Sequence, residues 1–139
     1  MSPPSLGKHF LLDFFGCDPD IINNATLLRE ILLEAARRGK ASIITDVFHR
    51  FSPHGVSGVI VIAESHIAVH TWPEHESACV DMFTCSEKMK PEVIESFLKD
   101  TLRAKEVMRH EIQRGRDKWG PREKPAQSEA EGSFPLFPT

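Results

Sequence analysis

The residues best suited to chemistry are concentrated in residues 63–75, which read AESHIAVHTWPEH. An apolar run ends at Glu64 and Ser65, and a second, alternating run leads to His70 and Glu74. A hydroxyl can act as a nucleophile, an imidazole can act as a base, and a carboxylate can transfer protons or accept hydrogen bonds. This stretch is therefore the first candidate for a catalytic or binding site.

The histidines of this region could also bind a metal ion. Five of the seven histidines lie within residues 49–75: His49, His54, His66, His70 and His75. Strand alternation predicts His66 and His70 on one face, whereas His75 follows a break at Pro73. Because neither the spacing nor the ligand set matches a closed zinc site, we expect no metal.

Motifs of the common cofactor and hydrolase sites are missing from the sequence. The chain has no G-x-G-x-x-G and no G-x-x-x-x-G-K-[ST], so no dinucleotide or nucleoside triphosphate site is predicted. No G-x-S-x-G surrounds Ser65, which argues against an ordinary hydrolase triad.

Length, charge and cysteine content narrow the class of protein. A chain of 139 residues with 40% hydrophobic and 27% charged residues is typical of one compact α/β domain. The net charge is −3, so the protein as a whole should not be attracted to nucleic acid or to an anionic membrane. A small-molecule partner is therefore favoured. The absence of a signal-like or membrane-spanning run predicts a cytoplasmic protein. Three cysteines without C-x-x-C spacing predict reduced thiols: Cys17, Cys79 and Cys85.

Apolar spacing predicts the elements that position these residues. The first helix is capped at Asn23-Asn24 and ends before Gly39, and the second is capped by Ser86 and reaches toward His110 and Ile112. The five predicted strands are residues 9–15, 41–50, 59–63, 67–72 and 78–84.

The order β-α-β-β-β-β-α predicts an α/β fold of the α+β type, a two-layer sandwich. Its mainly antiparallel sheet carries two helices on one face, which leaves the other face or an edge free for dimerisation. Residues 1–114 form the single predicted domain. Residues 115–139 are rich in Gly, Pro, Ser and charge and are predicted to form a flexible tail.

Three strings of the sequence carry a family resemblance. They are GKHFLLDFFGCDP near the start, the long FHRFSPHGVSGVIVIAESHIAVHTWPEH, and DMFTCS. Together they resemble the bacterial and archaeal pyruvoyl-dependent S-adenosylmethionine decarboxylases over about residues 7 to 86. The resemblance implies a proenzyme that cuts itself between Glu64 and Ser65.

In that family's chemistry the Ser65 hydroxyl attacks the Glu64 carbonyl, and an ester replaces the amide. Elimination and hydrolysis then convert Ser65 into a pyruvoyl group, which is the covalent cofactor. Residues 1–64 become the β chain, and residues 65–139 become the α chain. The pyruvoyl ketone forms a Schiff base with S-adenosylmethionine and releases CO2, which yields the aminopropyl donor for spermidine.

The resemblance also implies roles for further residues. His70 corresponds to the proton acceptor in self-processing, Ser57 to its helper, and Cys85 to the proton donor in catalysis. Phe51 corresponds to the ring that stacks on adenine, and Glu74 to the carboxylate that holds the ribose hydroxyls. Ile67 completes the expected substrate-binding residues.

The spacing of Ser65 and His70 adds an independent argument. Five residues apart on a strand, they point to opposite faces and lie about 16 Å apart at ~3.3 Å per residue. If His70 acts on Ser65, the two must come from different copies, so a homodimer of αβ protomers is predicted, with its active sites at the interface.

Two alternatives remain open from the sequence. The same pyruvoyl chemistry could act on another amino acid, such as ornithine or arginine, although Phe51 and Glu74 favour a nucleoside substrate. The chain could also be an unprocessed, non-catalytic partner subunit that keeps Ser65 intact.

Overall fold

The computed structural model describes residues 5–116, in which six strands form one sheet and the helices lie on one of its faces. All hydrogen-bonded strand pairs are antiparallel, and the strand order is β2-β3-β4-β5-β1-β6. The predicted α+β two-layer sandwich is therefore confirmed. The elements are β1 (Ser5–Phe15), α1 (Pro19–Ile22), α2 (Ala25–Arg38), β2 (Ile43–Arg50), β3 (Val56–Ile62), β4 (Ser65–Trp72), a 3-10 turn (Pro73–His75), β5 (Ser77–Thr84), α3 (Pro91–Thr101) and β6 (Glu106–Arg116).

The first long helix begins where the sequence predicts. The Asn24 side chain accepts a hydrogen bond from the Leu27 N–H at 3.1 Å, which satisfies one of the free donors at the start of α2. The apolar face of α2 then packs against α3 and the sheet. The buried core contains Leu12, Phe14, Leu28, Leu32, Val80, Met82, Ile94 and Leu98.

The predicted cap of the second long helix is wrong. α3 begins at Pro91 with Lys90 in the cap position, and Lys90 has a non-helical backbone (φ −112°, ψ 88°). A residue that precedes proline is disfavoured in the helical region, so the helix cannot start earlier. The Ser86 hydroxyl instead accepts a hydrogen bond from the Lys88 N–H at 3.0 Å and closes a turn.

The predicted extension of this helix through His110 and Ile112 is also wrong. α3 ends at Thr101, Arg103 adopts a left-handed conformation (φ +57°), and β6 then pairs with β1 along the sheet edge. Pairing with β1 continues as far as Arg116, which lies inside the segment predicted as a tail. The remainder of that segment, residues 117–139, lies outside the described residues.

The second face of the sheet has no described helix over it. Cross-strand register aligns Val47, Val59, Ala68, Asp81 and Leu11 along one row of this face. Val47 is 65% exposed although it is apolar. We call this surface the open face; it is the free sheet face that the sequence predicts.

Within residues 5–116, no helix has the length and apolar character needed to cross a membrane.

Candidate active site

The predicted site residues lie in two groups at opposite ends of β4. Ser65 opens the strand and pairs with Thr84, whereas Trp72 closes it and pairs with Ser77. The first group, the cleavage cluster, consists of Glu64, Ser65 and Cys85. The second, the imidazole cluster, consists of Phe51, Ser57, His70 and Glu74.

The cleavage cluster sits at the tight turn between β3 and β4. The Glu64 carboxylate accepts a hydrogen bond from the Ser42 N–H at 3.0 Å, and the Ala63 N–H donates to the Ser42 carbonyl at 2.8 Å. These two bonds fix the turn against the start of β2. Ser65 has φ +152°, which a non-glycine residue rarely adopts and which costs roughly 1–3 kcal/mol. The turn therefore concentrates backbone strain at the predicted cleavage bond.

Cys85 lies directly against the carbonyl of that bond. Its backbone N–H and its thiol both donate to the Glu64 carbonyl oxygen, each at 3.3 Å. Two donors on one carbonyl oxygen stabilise the negative charge that develops there when a nucleophile attacks the carbon. The cluster thus contains the hydroxyl and the carbonyl that the predicted cleavage would join, and the carbonyl oxygen accepts two hydrogen bonds from Cys85.

A cleft of about 480 Å³ opens beside Cys85, between the start of β1, the end of β5 and the loop that precedes α3. The Cys85 side chain is exposed toward solvent, so a small molecule could reach it. The residues that line this cleft include Lys8, Phe10, Thr84, Cys85, Ser86 and Met89.

The imidazole cluster is held together by a cross-strand pair. Ser57 on β3 is in register with His70 on β4, and the Ser57 hydroxyl lies 3.0 Å from His70 Nδ1. A second cleft, of about 380 Å³, brings the pair together with Phe51 and Glu74. All four residues that the sequence assigns to this group thus line one cavity.

The two outer members of this cleft have environments that suit a polar, aromatic ligand. Phe51 is 47% exposed, and the ring of His49 meets it edge-on at 4.6 Å. A hydrogen bond from its own backbone N–H, followed by the nearby His54, holds the pKa of the Glu74 carboxyl below its ordinary value. Glu74 is therefore a carboxylate at neutral pH, able to accept hydrogen bonds from hydroxyl groups.

Ile67 is not brought to either cleft of the described residues. Its side chain is 1% exposed and belongs to the core on the helix side of the sheet. A part for Ile67 in substrate binding stays a prediction.

The structure adds three residues to those singled out from the sequence. His54 lies 3.1 Å from the Glu74 carboxylate, Trp72 lines the same cleft, and His66 Nδ1 lies 3.3 Å from the Ser65 hydroxyl. The clustering of histidines between residues 49 and 75 was the available signal for His54 and His66. Strand alternation hid the contact of His66, since neighbours on a regular strand point to opposite faces.

Comparison with known proteins gives a consistent result. The profile of a protein family, S-adenosylmethionine decarboxylase, matches residues 8–115. An S-adenosylmethionine decarboxylase proenzyme of Acetivibrio thermocellus is 46% identical over 111 residues, which are 80% of this chain and 90% of the relative. A proenzyme of the same name from Pyrococcus abyssi is 45% identical over 111 residues, 80% of each chain.

A solved structure is also similar. The crystal structure of the adenosylmethionine decarboxylase from Aquifex aeolicus matches with a TM-score of 0.77 and 33% sequence identity. The match covers 86% of this chain and 99% of that one.

Proposed function

The chain belongs to the S-adenosylmethionine decarboxylase family, and on that premise we propose that it cuts itself between Glu64 and Ser65 and then decarboxylates S-adenosylmethionine. The product would be the aminopropyl donor for spermidine synthesis. A cytoplasmic location stays a prediction from the sequence.

One observation carries the self-cleavage proposal. The Glu64 carbonyl accepts two hydrogen bonds from Cys85, and the residue that follows it, Ser65, has a strained backbone. An ordinary turn needs neither feature. Both lower the barrier to attack by the Ser65 hydroxyl, because one stabilises the oxygen of the tetrahedral intermediate and the other raises the energy of the intact bond.

The proposed cleavage uses only groups of the chain and water. The Ser65 oxygen bonds to the Glu64 carbon, the peptide C–N bond breaks, and an ester joins the two halves. Loss of the Ser65 α-proton expels the Glu64 carboxylate and leaves a dehydroalanine, which hydrolyses to a pyruvoyl end and ammonia. We propose that His70 removes this α-proton. The Ser57 hydroxyl, 3.0 Å from His70 Nδ1, would orient the imidazole.

The residues around the cleavage bond fit such a cofactor. The pyruvoyl group supplies a ketone that takes up the electron pair left when carbon dioxide departs. Cys85, exposed beside a cleft of about 480 Å³, is the proposed donor of the proton that replaces the carboxylate. Phe51 stacks on the adenine, and the Glu74 carboxylate holds the ribose hydroxyls in this proposal.

Two copies of the chain are needed for this assignment. Ser65 and His70 are five residues apart on β4, which corresponds to about 16 Å along an extended strand. We therefore propose a homodimer in which the cleavage cluster of one protomer meets the imidazole cluster of its partner. The uncovered open face, with exposed Val47 and Val61, supports such an interface.

Denaturing mass spectrometry tests the self-cleavage. The purified wild-type chain should give two fragments, residues 1–64 and residues 65–139. The second fragment should carry a pyruvoyl group at its N-terminus. Ser65→Ala should remain a single chain, and Ser96→Ala, which changes an exposed serine on α3, should cleave like the wild type. A wild-type chain that stays intact through long incubation would contradict the proposal.

The substrate is tested on the cleaved protein. Release of carbon dioxide is expected from S-adenosylmethionine and not from ornithine or arginine, because Phe51 and Glu74 match a nucleoside. Borohydride added together with the substrate should abolish the release. Cleaved protein that acts on ornithine or arginine instead would overturn the substrate assignment and leave self-cleavage intact.

A further inference from the structure

The Ser65 hydroxyl must lose its proton before it can attack the Glu64 carbonyl, and within the same chain His66 is the imidazole in contact with it. His66 Nδ1 lies 3.3 Å from Ser65 Oγ, whereas the His70 ring is paired with Ser57. Resting on the self-cleavage proposed above, we infer that His66 is the base that accepts the Ser65 hydroxyl proton during ester formation. His70 then acts only in the later elimination.

The strained turn makes this contact between sequence neighbours possible. On a regular strand, Ser65 and His66 would point to opposite faces of the sheet. The positive φ of Ser65 (+152°) departs from strand geometry at the first residue of β4, and the hydroxyl lies within reach of His66. The same distortion therefore strains the cleavage bond and presents its nucleophile to a base.

The His66 ring is held in place by aromatic neighbours on two strands. It stacks on Phe83 with a centroid distance of 6.0 Å and an angle of 16°, and it meets His9 edge-on at 6.3 Å. His9 also meets Phe83 edge-on at 5.6 Å. These contacts place two aromatic rings beside the His66 imidazole.

The contacts of His9 and His66 with their hydrogen-bond partners both involve Nδ1. Arg114 Nη1 lies 3.1 Å from His9 Nδ1, and since a guanidinium only donates, His9 accepts at Nδ1. A neutral His66 with its proton on Nε2 has a free lone pair on Nδ1, directed at the Ser65 hydroxyl.

The proton balance of the step is closed. The Ser65 O–H proton passes to His66 Nδ1 as the new C–O bond forms. When the C–N bond breaks, the departing Ser65 amine takes that proton from His66, so the imidazole ends the step neutral. No other co-reactant is required, and a different proton, on the Ser65 α-carbon, remains for His70.

Trapping the ester separates the roles of the two histidines. Hydroxylamine cleaves an ester but leaves the amide intact, so His70→Ala, blocked after ester formation, should be cut by hydroxylamine at Glu64. Self-cleavage of His66→Ala should slow by about 10²-fold, a value typical of a lost general base. In the time in which hydroxylamine cuts His70→Ala, His66→Ala should therefore show no cut, either alone or with hydroxylamine. Added imidazole should restore cleavage of His66→Ala. His75→Ala, which changes an exposed histidine, serves as the matched control.

His66→Gln guards against a purely structural effect, because glutamine keeps a polar side chain of similar reach but cannot take up the proton. It should fold with an unchanged circular dichroism spectrum and still fail to form the ester. Wild-type rates in both His66 variants, or accumulation of ester in them, would overturn the role of His66. A wild-type chain that never cleaves would overturn the proposed function itself and this inference with it.

Discussion

The three cysteines differ in reactivity because their surroundings differ. Burial first, and then the hydrogen bond to Asp13 at 3.0 Å, raise the pKa of the Cys79 thiol to about 12. Burial, with the Glu76 charge as a second cause, raises the pKa of Cys17 to about 11. Cys85 is exposed beside its cleft. Only Cys85 is thus placed to react with a molecule from solvent.

Iodoacetamide at pH 8 should therefore label native protein at Cys85 alone. A thiol with a pKa of about 12 is a thiolate in only ~10⁻⁴ of molecules at that pH, and burial hinders access further. Peptide mass spectrometry locates the label. Cys85→Ser protein should stay unlabelled until urea exposes Cys17 and Cys79. Early labelling of Cys79 in folded protein would contradict the assigned environment.

The raised pKa values of Cys17 and Cys79 also predict how the stability of the fold changes with pH. The folded state holds both protons more tightly than the unfolded chain, so this contribution is complete below pH 9 and is lost as the pH rises toward 11 to 12.

The sequence predicted which residues belong to the candidate site better than it predicted which of them touch. The sequence string singled out Ser57, His70 and Glu74, and the structure lines one cleft with them. The contact of His66 with Ser65 could not be predicted, because it depends on a positive φ at a serine, which no sequence pattern encodes. The bond between His54 and Glu74 depends on how one loop folds over the next turn.

At the scale of elements, α2 and α3 meet at Gly39. The Lys90 N–H donates to the Gly39 carbonyl at 2.7 Å, which joins the start of α3 to the end of α2. Gly39 has an ordinary φ of −81°, so its backbone does not require glycine. A Cβ there would instead overlap Cγ1 and Cδ1 of the fully buried Ile94. Close helix approach is thus the reason for glycine at this position.

Gly39→Ala should destabilise the fold by about 1–3 kcal/mol, the usual cost of adding a methyl group to a packed core. Urea unfolding followed by circular dichroism measures the change. In an Ile94→Ala background the same substitution should cost less, because the overlapping atoms are gone and the two effects are then not additive. Equal costs in both backgrounds would rule out the overlap as the cause.

The strand β6 could not be predicted from the sequence. Its residues from Met108 to Gly115 are exposed at the sheet edge, so no apolar side of a strand could be recognised. Backbone hydrogen bonds to β1 stabilise β6. A pattern of side chains in the sequence does not reveal such backbone pairing. The central strands alternate buried and half-buried residues, and there the same reasoning succeeded.

For the whole molecule, the decisive feature is that one protomer keeps apart the two clusters that the proposed self-cleavage brings together. The cleavage cluster and the imidazole cluster occupy opposite ends of β4, and the open face between them carries Val59, Ala68 and Leu11. A two-fold axis that lies between two such open faces, perpendicular to β4, packs the faces together and reverses the direction of β4 in the partner. Each end of β4 would then approach the opposite end of the partner's strand, which creates two equivalent sites.

Mixing two inactive variants tests this arrangement. A dimer of Ser65→Ala with His70→Ala contains one complete site, formed by Ser65 of the second chain and His70 of the first. After co-expression with random pairing, about half of the His70→Ala chains should be cut, and no Ser65→Ala chain should be. Denaturing mass spectrometry distinguishes the two chains. His70→Ala mixed with Ser57→Ala, both altered in the imidazole cluster, should gain no such complete site. Failure of the first pair to cleave, in dimers verified by native mass spectrometry, would mean that the two clusters do not combine across the interface.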